Sequence, residues 1–208
     1  MKDFNQPELT GPSGIPVFVP EDLALRMLSD IDHLEAGGGG FEPLEGLSGS
    51  AKSLVKSFGD VIRDLPREHV RVFDPEGNER YRNSGTPDTV PIDLGSLPGN
   101  VAIHNHPNGT PPSLKDILVA MEGQALEIQV VSSLHTFSIR PKESVRRGEV
   151  ATLWNHLNEM SYAVGQDWKR SQTSNTPDDE VAGRRLHALL MGLARKGTIL
   201  YILTVNVQ

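Results

Sequence analysis

Apolar residues recur with helical spacing along residues 51–65, AKSLVKSFGDVIRDL. Their positions follow a 3.6-residue period and predict one apolar stripe on an amphipathic helix, which Pro66 ends. The stripe consists of Leu54, Val55, Phe58, Val61, Ile62 and Leu65. The same kind of spacing predicts helices over 20–34, 112–123, about 142–164 and about 178–195.

Shorter apolar stretches with alternating polar residues predict strands between these helices. They are EHVRVFD (68–74), a return segment that begins at Tyr81, VAIHNH (101–106), EIQVVSS (127–133), HTFSIRP (135–141) and TILYILTVNV (198–207). Helices therefore alternate with strands along most of the chain. This order predicts an α/β or α+β fold with a mixed β-sheet flanked by helices and with extra C-terminal helices.

The chain divides in two on the basis of its composition. Residues 1–49 contain the first predicted helix and four consecutive glycines at 37–40, and we interpret them as an N-terminal extension with a Gly-rich linker. Residues 50–208 carry the remaining periodic segments and are predicted to form one domain, whose C-terminal helical part covers 142–208.

Charge and composition limit the classes of function. The net charge of −7 gives no general attraction to nucleic acid. The chain has no cysteine, which excludes disulfides and thiolate ligands, so a transition metal would need His, Asp or Glu. No signal peptide or membrane span is predicted, which favours a cytoplasmic protein and leaves signal-independent export open.

Candidate metal ligands are concentrated in IHNHPNGTPPSLKDI, residues 103–117. His104 and His106 are two residues apart on a predicted strand, so both imidazoles lie on the same face. Ser113 and Asp116 lie on one side of the first turn of the next helix. Two imidazoles and one carboxylate suit Zn²⁺ with an open fourth position, at which the pKa of a bound water falls to near 7.

Helix capping offers a competing interpretation of the same residues. Ser113 is predicted to be the N-cap and Asp116 the third helical residue of a capping box. Capping alone is enough to explain why a serine and an aspartate stand at these positions. The two histidines could likewise be polar residues at the edge of a loop. It is the combination of the His pair, the adjacent Pro107 and the Ser-x-x-Asp pattern that favours a metal site.

This motif, His-x-His-Pro followed by Ser-x-x-Asp, resembles the JAMM motif of the JAB/MPN metalloproteases. Five residues separate Pro107 from Ser113, one fewer than in eukaryotic-type members, and the HNHP form is more similar to the bacterial RadC-like and phage-associated branches. The resemblance covers residues 51–140 and implies a JAB/MPN-like, cytidine deaminase-like fold. It also implies zinc-dependent hydrolysis of a peptide or isopeptide bond in a protein or peptide substrate.

The resemblance further implies a glutamate upstream that acts as general base. Glu68 at the head of the first strand matches that position, while Glu76 and Glu79 fall in the PEGNER turn and stay open as alternatives. His104, His106 and Asp116 would then bind zinc, and Ser113 would donate a hydrogen bond to the developing oxyanion. Asn105 and the other histidines are interpreted as structural.

Other functions fit the same residues. A catalytically silent JAB-like binding module, a phage-associated or secreted toxin that uses the same metal site, and a phosphodiesterase acting on nucleic acid all remain open. Neither the substrate nor the oligomeric state is indicated by the sequence.

Overall fold

The computed structural model describes residues 41–142, 148–149, 151–152, 155, 178–195 and 199–205. Within this part, three helices are α1 (Gly49–Ile62), α2 (Leu114–Glu122) and α3 (Asp178–Arg195). The strands are β1 (His69–Phe73), β2 (Glu79–Ser84), β3 (Val101–Asn105), β4 (Glu127–Val131), β5 (His135–Pro141) and β6 (Ile199–Val205). The helix predicted over 20–34, the glycines at 37–40 and most of 142–164 lie outside the described residues.

The six strands form one mixed sheet in the order β2-β1-β3-β4-β5-β6. Only β3 and β4 are parallel, and α2 connects them because a parallel pair cannot be joined by a tight hairpin. The remaining neighbours are antiparallel. The prediction of a mixed sheet flanked by helices is therefore confirmed.

Helices cover both faces of the sheet. Helix α1 packs on one face, where Val55 and Ile62 join Ile103 and Val131 in a buried cluster. Helices α2 and α3 share the other face, and their buried side chains meet those of β3 to β6. This second core includes Ile117, Ala120, Leu189, Leu190, Leu193, Ala102, Ile128, Val130, Ile139 and Tyr201. The apolar stripe of each of these helices is thus buried against the sheet.

Residues before α1 also join the core. Leu44 and Leu47 are buried beside α1, and the Leu44 backbone N–H donates to Glu127 Oε2 at 2.9 Å. Glu127 is itself fully buried and forms an ion pair with Arg140 at 3.1 Å. The packing thus includes residues on both sides of the predicted division between residues 49 and 50.

Helix α1 begins and ends slightly earlier than the sequence predicts. Ser48 is the N-cap and accepts a hydrogen bond from the Ala51 N–H, so the helix starts at Gly49. It ends at Ile62, the Leu65 N–H closes a turn by donating to the Ile62 carbonyl oxygen, and Pro66 keeps the helix from continuing. No helix among the described residues is long and apolar enough to cross a membrane.

Candidate metal centre

Strand β3 places both histidines beside β1. His104 is the fourth residue of β3, and His106 follows directly after the strand, on the same face. In the antiparallel pairing of β1 with β3, Val70 lies opposite His104. Continuing this register by two residues brings Glu68, just before β1, opposite His106. The long-range pairing, rather than any local sequence signal, brings Glu68 to the site.

The loop after β3 carries the chain from the histidines to the start of α2. The His106 N–H donates to Val131 O at 2.9 Å, which ties the loop to the end of β4. Gly109 has a φ of +76°, a left-handed backbone conformation that favours glycine. Helix α2 then begins with the predicted capping box, in which Ser113 Oγ accepts from the Asp116 N–H and Asp116 accepts from the Ser113 N–H. This cap fixes Asp116 on the first turn, facing the histidines.

The three predicted ligands come together. The Nε2 atoms of His104 and His106 lie 3.1 Å apart, and His104 Nε2 lies 3.4 Å from Asp116 Oδ1. His106 Nε2 is 3.7 Å from Asp116 Oδ2. Zinc–ligand bonds of about 2.0–2.2 Å in a tetrahedral site put neighbouring ligand atoms roughly 3.3–3.6 Å apart. The three side chains can therefore hold a metal ion after only small adjustments.

Thr110 orients the His106 ring for metal binding. His106 Nδ1 lies 2.9 Å from the carbonyl oxygen of Thr110, which can only accept, so Nδ1 carries the proton. In the neutral ring Nε2 is then the atom with a free lone pair, directed at His104 and Asp116. This partner is not predictable from the sequence, because a backbone carbonyl in an irregular loop has no residue-type signal.

The two imidazoles differ in their affinity for protons. Burial, together with the charge of His104, lowers the pKa of His106 to about 4, so this ring is neutral. Burial also acts to lower the pKa of His104, but the hydrogen bond and charge of Asp116 and the charge of Glu68 outweigh it and raise that pKa. For Asp116, burial acts to raise the pKa, and the two histidines and Ser113 overcome it, leaving the pKa well below its ordinary value. Below the raised pKa of His104, this ring and Asp116 carry opposite charges, and a metal cation would take the place of the His104 proton.

Glu68 lies beside the three ligands without joining them. Its side chain is buried, and Oε1 is 3.9 Å from His106 Nε2. Burial is the main reason that the pKa of Glu68 rises to about 7, with the charges of Asp116 and Asp88 adding to it and that of His104 opposing it. Backbone hydrogen bonds of Glu68 with Thr86 and Gly85, after β2, hold it there. Glu68 is therefore a buried acid with a raised pKa, which is typical of residues in functional sites.

The alternative glutamates are placed differently. Glu76 is exposed in the turn between β1 and β2. Glu79 begins β2 and forms ion pairs with Arg71, at 3.4 Å, and with Arg82. Neither lines the cavity at the metal centre, whereas Glu68 does.

Ser113 lines the cavity, but its hydroxyl is engaged with the carboxylate of Asp116. Ser113 Oγ donates to Asp116 Oδ2 at 2.7 Å, and the Ser113 N–H reaches the same oxygen at 2.6 Å. Both bonds orient Asp116, which leaves Oδ1 directed at His104. The predicted role of Ser113 toward an oxyanion stays a prediction and would need the hydroxyl to turn.

Asn105 connects strand β3, which carries His104, to the segment that carries Glu68. Its fully buried side chain accepts from the His69 N–H at 2.7 Å and donates to the carbonyl oxygens of Leu65 and Arg67 at 3.2 and 3.0 Å. It points to the face opposite His104 and His106, as alternation along β3 requires. These three bonds fix the turn from α1 to β1 on either side of Glu68.

Replacing Asn105 by Ala is expected to lower the free energy of unfolding by at least about 1–3 kcal/mol, because the backbone groups of Leu65, Arg67 and His69 lose a buried partner. Denaturant unfolding of the two proteins measures the difference. Asn108→Ala is the matched control, since Asn108 is exposed and, within the described part of the chain, bonds to Thr110 of its own loop. A loss in Asn108→Ala equal to that in Asn105→Ala would contradict this role.

Among the other described histidines, His187 is buried on α3, where Nδ1 lies 2.8 Å from the Tyr201 hydroxyl. His69 lies next to Ser84 across the β1–β2 pair, and His135 begins β5. No other group of three or more metal-binding side chains occurs in the part of the chain that the structure describes.

Comparisons of the whole chain with protein-family models, with curated proteins and with solved structures find no match. The assignment of a function therefore depends on the residues and their geometry.

Proposed function

We propose that this protein is a zinc-dependent hydrolase that cleaves a peptide or isopeptide bond. The observation that carries the proposal is the position of Glu68, a buried carboxylate 3.9 Å from His106 Nε2 and beside the three ligand atoms of His104, His106 and Asp116. A structural metal site has no need of a further carboxylate with a pKa of about 7 beside its ligands.

The donor set supports zinc as the metal. Two neutral imidazoles and one carboxylate are ligands that zinc prefers, and three protein ligands leave a fourth position open. Bound there, zinc would polarise a carbonyl group and lower the pKa of a bound water to near neutrality. Sulfur ligands are excluded because the chain has no cysteine.

The chain's own residues supply the proton transfers. Glu68, whose Oε1 lies 3.9 Å from His106 Nε2, would accept a proton from the attacking water, and its carboxyl form would then protonate the leaving amine. Asn105 and the backbone of Thr86 and Gly85 hold the backbone that carries this carboxyl. Lys115 and Ser113 also line the cavity, and the Ser113 hydroxyl and N–H donate to the carboxylate of Asp116.

The architecture supports a JAB/MPN-like fold as the finer form of this proposal. Helix α1 precedes an antiparallel β1–β2 hairpin, and β3, α2 and β4 form one parallel crossover that carries every ligand at its start. The resemblance of the motif and the site's location at the carboxyl end of β3 agree with each other. One fold supports many activities, so the proposed activity depends on the residues of the site and not on the fold.

Hydrolysis of peptides tests the proposal. The zinc-loaded full chain is incubated with a mixed peptide library and with a lysine-linked isopeptide, and new termini are identified by mass spectrometry. We expect cleavage that stops on chelation and returns with zinc. Cleavage of a phosphodiester in DNA or RNA, with none of any peptide or isopeptide, would replace this proposal by the nuclease alternative.

Zinc affinity is expected to fall as the pH is lowered. The pKa of His104 is raised, so its ring is protonated below that pKa, and the proton must leave before zinc binds. His106, with its pKa of about 4, competes only in stronger acid. Between the two pKa values the affinity should fall about tenfold per pH unit, and above the pKa of His104 it should level off.

Zinc titrations at several pH values, with a competing chelator, measure this dependence. In Glu68→Gln the pH range in which zinc affinity falls should move to lower pH. The reason is that the negative charge of Glu68 is one of the causes that raise the pKa of His104. An affinity independent of pH from 5 to 8 in the unchanged protein would contradict the assignment of His104 as a ligand.

A further inference from the structure

A cavity of about 410 Å³ extends from the metal centre along the sheet. His104, His106, Asp116 and Glu68 line one end of it. Its other end has a different character, because apolar side chains from four separate segments form it. They are Val70, Val90, Ile92, Leu94, Val119 and Ile128.

The floor of the apolar end is the face of the sheet that carries His104. Ala102 lies on the same face two residues before His104, which corresponds to about 7 Å along β3. Ile128 of β4 is the partner of Ala102, and Val70 of β1 is the partner of His104. The apolar end therefore begins directly beside the metal ligands.

The two walls of the cavity are fixed by hydrogen bonds. One wall is the strap 86–93, an irregular segment between β2 and β3, where the carbonyl oxygen of Pro91 accepts from the Tyr81 hydroxyl at 3.2 Å and from Asn83 Nδ2 at 3.1 Å. The other wall is α2, and Lys115 Nζ donates across to Thr89 Oγ1 at 3.1 Å. The cavity is thus formed before any substrate binds, as is usual for a small-molecule or peptide subsite.

The acidic and basic side chains among the described lining residues are Glu68, Asp88, Lys115 and Asp116, besides the two histidines. Asp88 and Lys115 carry opposite charges and are exposed where the strap meets α2. The lining gains apolar surface from Val90, Ile92, Val119 and Ile128, and Lys115 beside them is bonded to Thr89. A charged substrate group would lose its hydration against these apolar side chains, whereas an apolar one would cover the partly exposed Val90, Ile92 and Leu94.

We propose that this cavity is a specificity pocket that receives an aliphatic or aromatic side chain of the residue next to the scissile bond, with Val119 as its main determinant. The inference rests on the proposed function and names its substrate class, which is peptides with a residue of leucine to phenylalanine size at that position. Glycine and charged residues at that position are disfavoured. Burying a leucine side chain there should improve binding by about 10- to 100-fold over glycine.

Hydroxamates provide a test that does not depend on turnover, because the hydroxamate group binds zinc directly. Calorimetry on the zinc-loaded full chain compares two pairs of probes. N-acetylglycine and N-acetylleucine hydroxamates place the side chain on the acyl side of the bond. Unsubstituted and isobutyl-substituted succinyl hydroxamates place it on the amine side.

We expect the substituted probe of one pair to bind about 10- to 100-fold more tightly than its unsubstituted partner. In Val119→Asp this preference should disappear, so that the substituted probe binds no more tightly than its unsubstituted partner. Val119→Ala, a milder change, should shift the preference toward a benzyl side chain. Val61→Asp is the matched control, because Val61 is exposed on α1, across the sheet from α2, and should leave all affinities unchanged.

The outcomes separate the two proposals. Equal binding within both pairs, or a preference that survives Val119→Asp, would overturn the specificity pocket and leave the zinc centre intact. Failure of every probe to bind the zinc-loaded chain would overturn the zinc centre, and the pocket proposal with it.

Discussion

Replacing Glu68 by Gln is expected to lower the rate of hydrolysis by about 10²- to 10⁴-fold and to leave the zinc content unchanged. Glutamine keeps the shape of the side chain but cannot accept a proton from the attacking water. Glu68 is not among the three ligands, so the metal stays bound. Zinc content and the rate of peptide cleavage are measured on the same preparations.

The pH profile provides a second test of Glu68. A general base must be ionised, so activity should rise with pH through the pKa of Glu68. Burial raises this pKa to about 7 in the metal-free protein, and the positive charge of a bound metal would lower it, which places the rising limb below pH 7. Glu76→Gln and Glu79→Gln are the controls and should keep both rate and profile. Full activity in Glu68→Gln would show that the base lies elsewhere.

A catalytically silent binding module gives a different pattern. It would bind zinc with the same three ligands, and Glu68→Gln would change neither zinc content nor biological effect. The variant thus separates a working hydrolase from a protein that keeps the metal centre for another purpose.

Replacing His104 by Ala is expected to abolish hydrolysis and to weaken zinc binding by more than about 100-fold, since losing even a supporting partner of a ligand costs 10- to 100-fold. His104 Nε2 is one of the three ligand atoms, and it lies within 3.4 Å of the other two, on His106 and Asp116. Competition with a fluorescent zinc indicator measures the affinity.

His69→Ala is the matched control for this experiment. His69 is the same residue type, follows Glu68 directly and contacts Ser84 rather than the metal centre. Zinc affinity in His69→Ala should stay within about twofold of that of the unchanged protein. Tight stoichiometric zinc in His104→Ala would contradict the ligand assignment.

Local sequence signals account for the part of the site on α2. The N-cap Ser113 and the capping-box residue Asp116 were predictable because capping depends on residues three apart. His104 and His106 were predictable for a similar reason, since alternation along a strand puts both on one face. These features depend on neighbours in sequence.

The remaining features of the site and core depend on contacts between segments that are distant in sequence. The distance of 3.9 Å between Glu68 and His106 follows from the register of β1 against β3, which no local pattern determines. The carbonyl of Thr110 and the strap 86–93 are irregular backbone, and the burial of Leu44 against Glu127 joins distant segments. Resemblance to a known motif suggested Glu68, and only the folded chain places it beside the ligands.

A crystal structure of the zinc-loaded protein, with anomalous scattering recorded on both sides of the zinc edge, tests the central claim most directly. We expect one zinc ion bound by His104 Nε2, His106 Nε2 and Asp116 at about 2.0–2.2 Å, with its fourth position open to the cavity and Glu68 within hydrogen-bond reach of that position. Absence of zinc between these three residues, or a zinc ion whose fourth ligand is Glu68 itself, would contradict it.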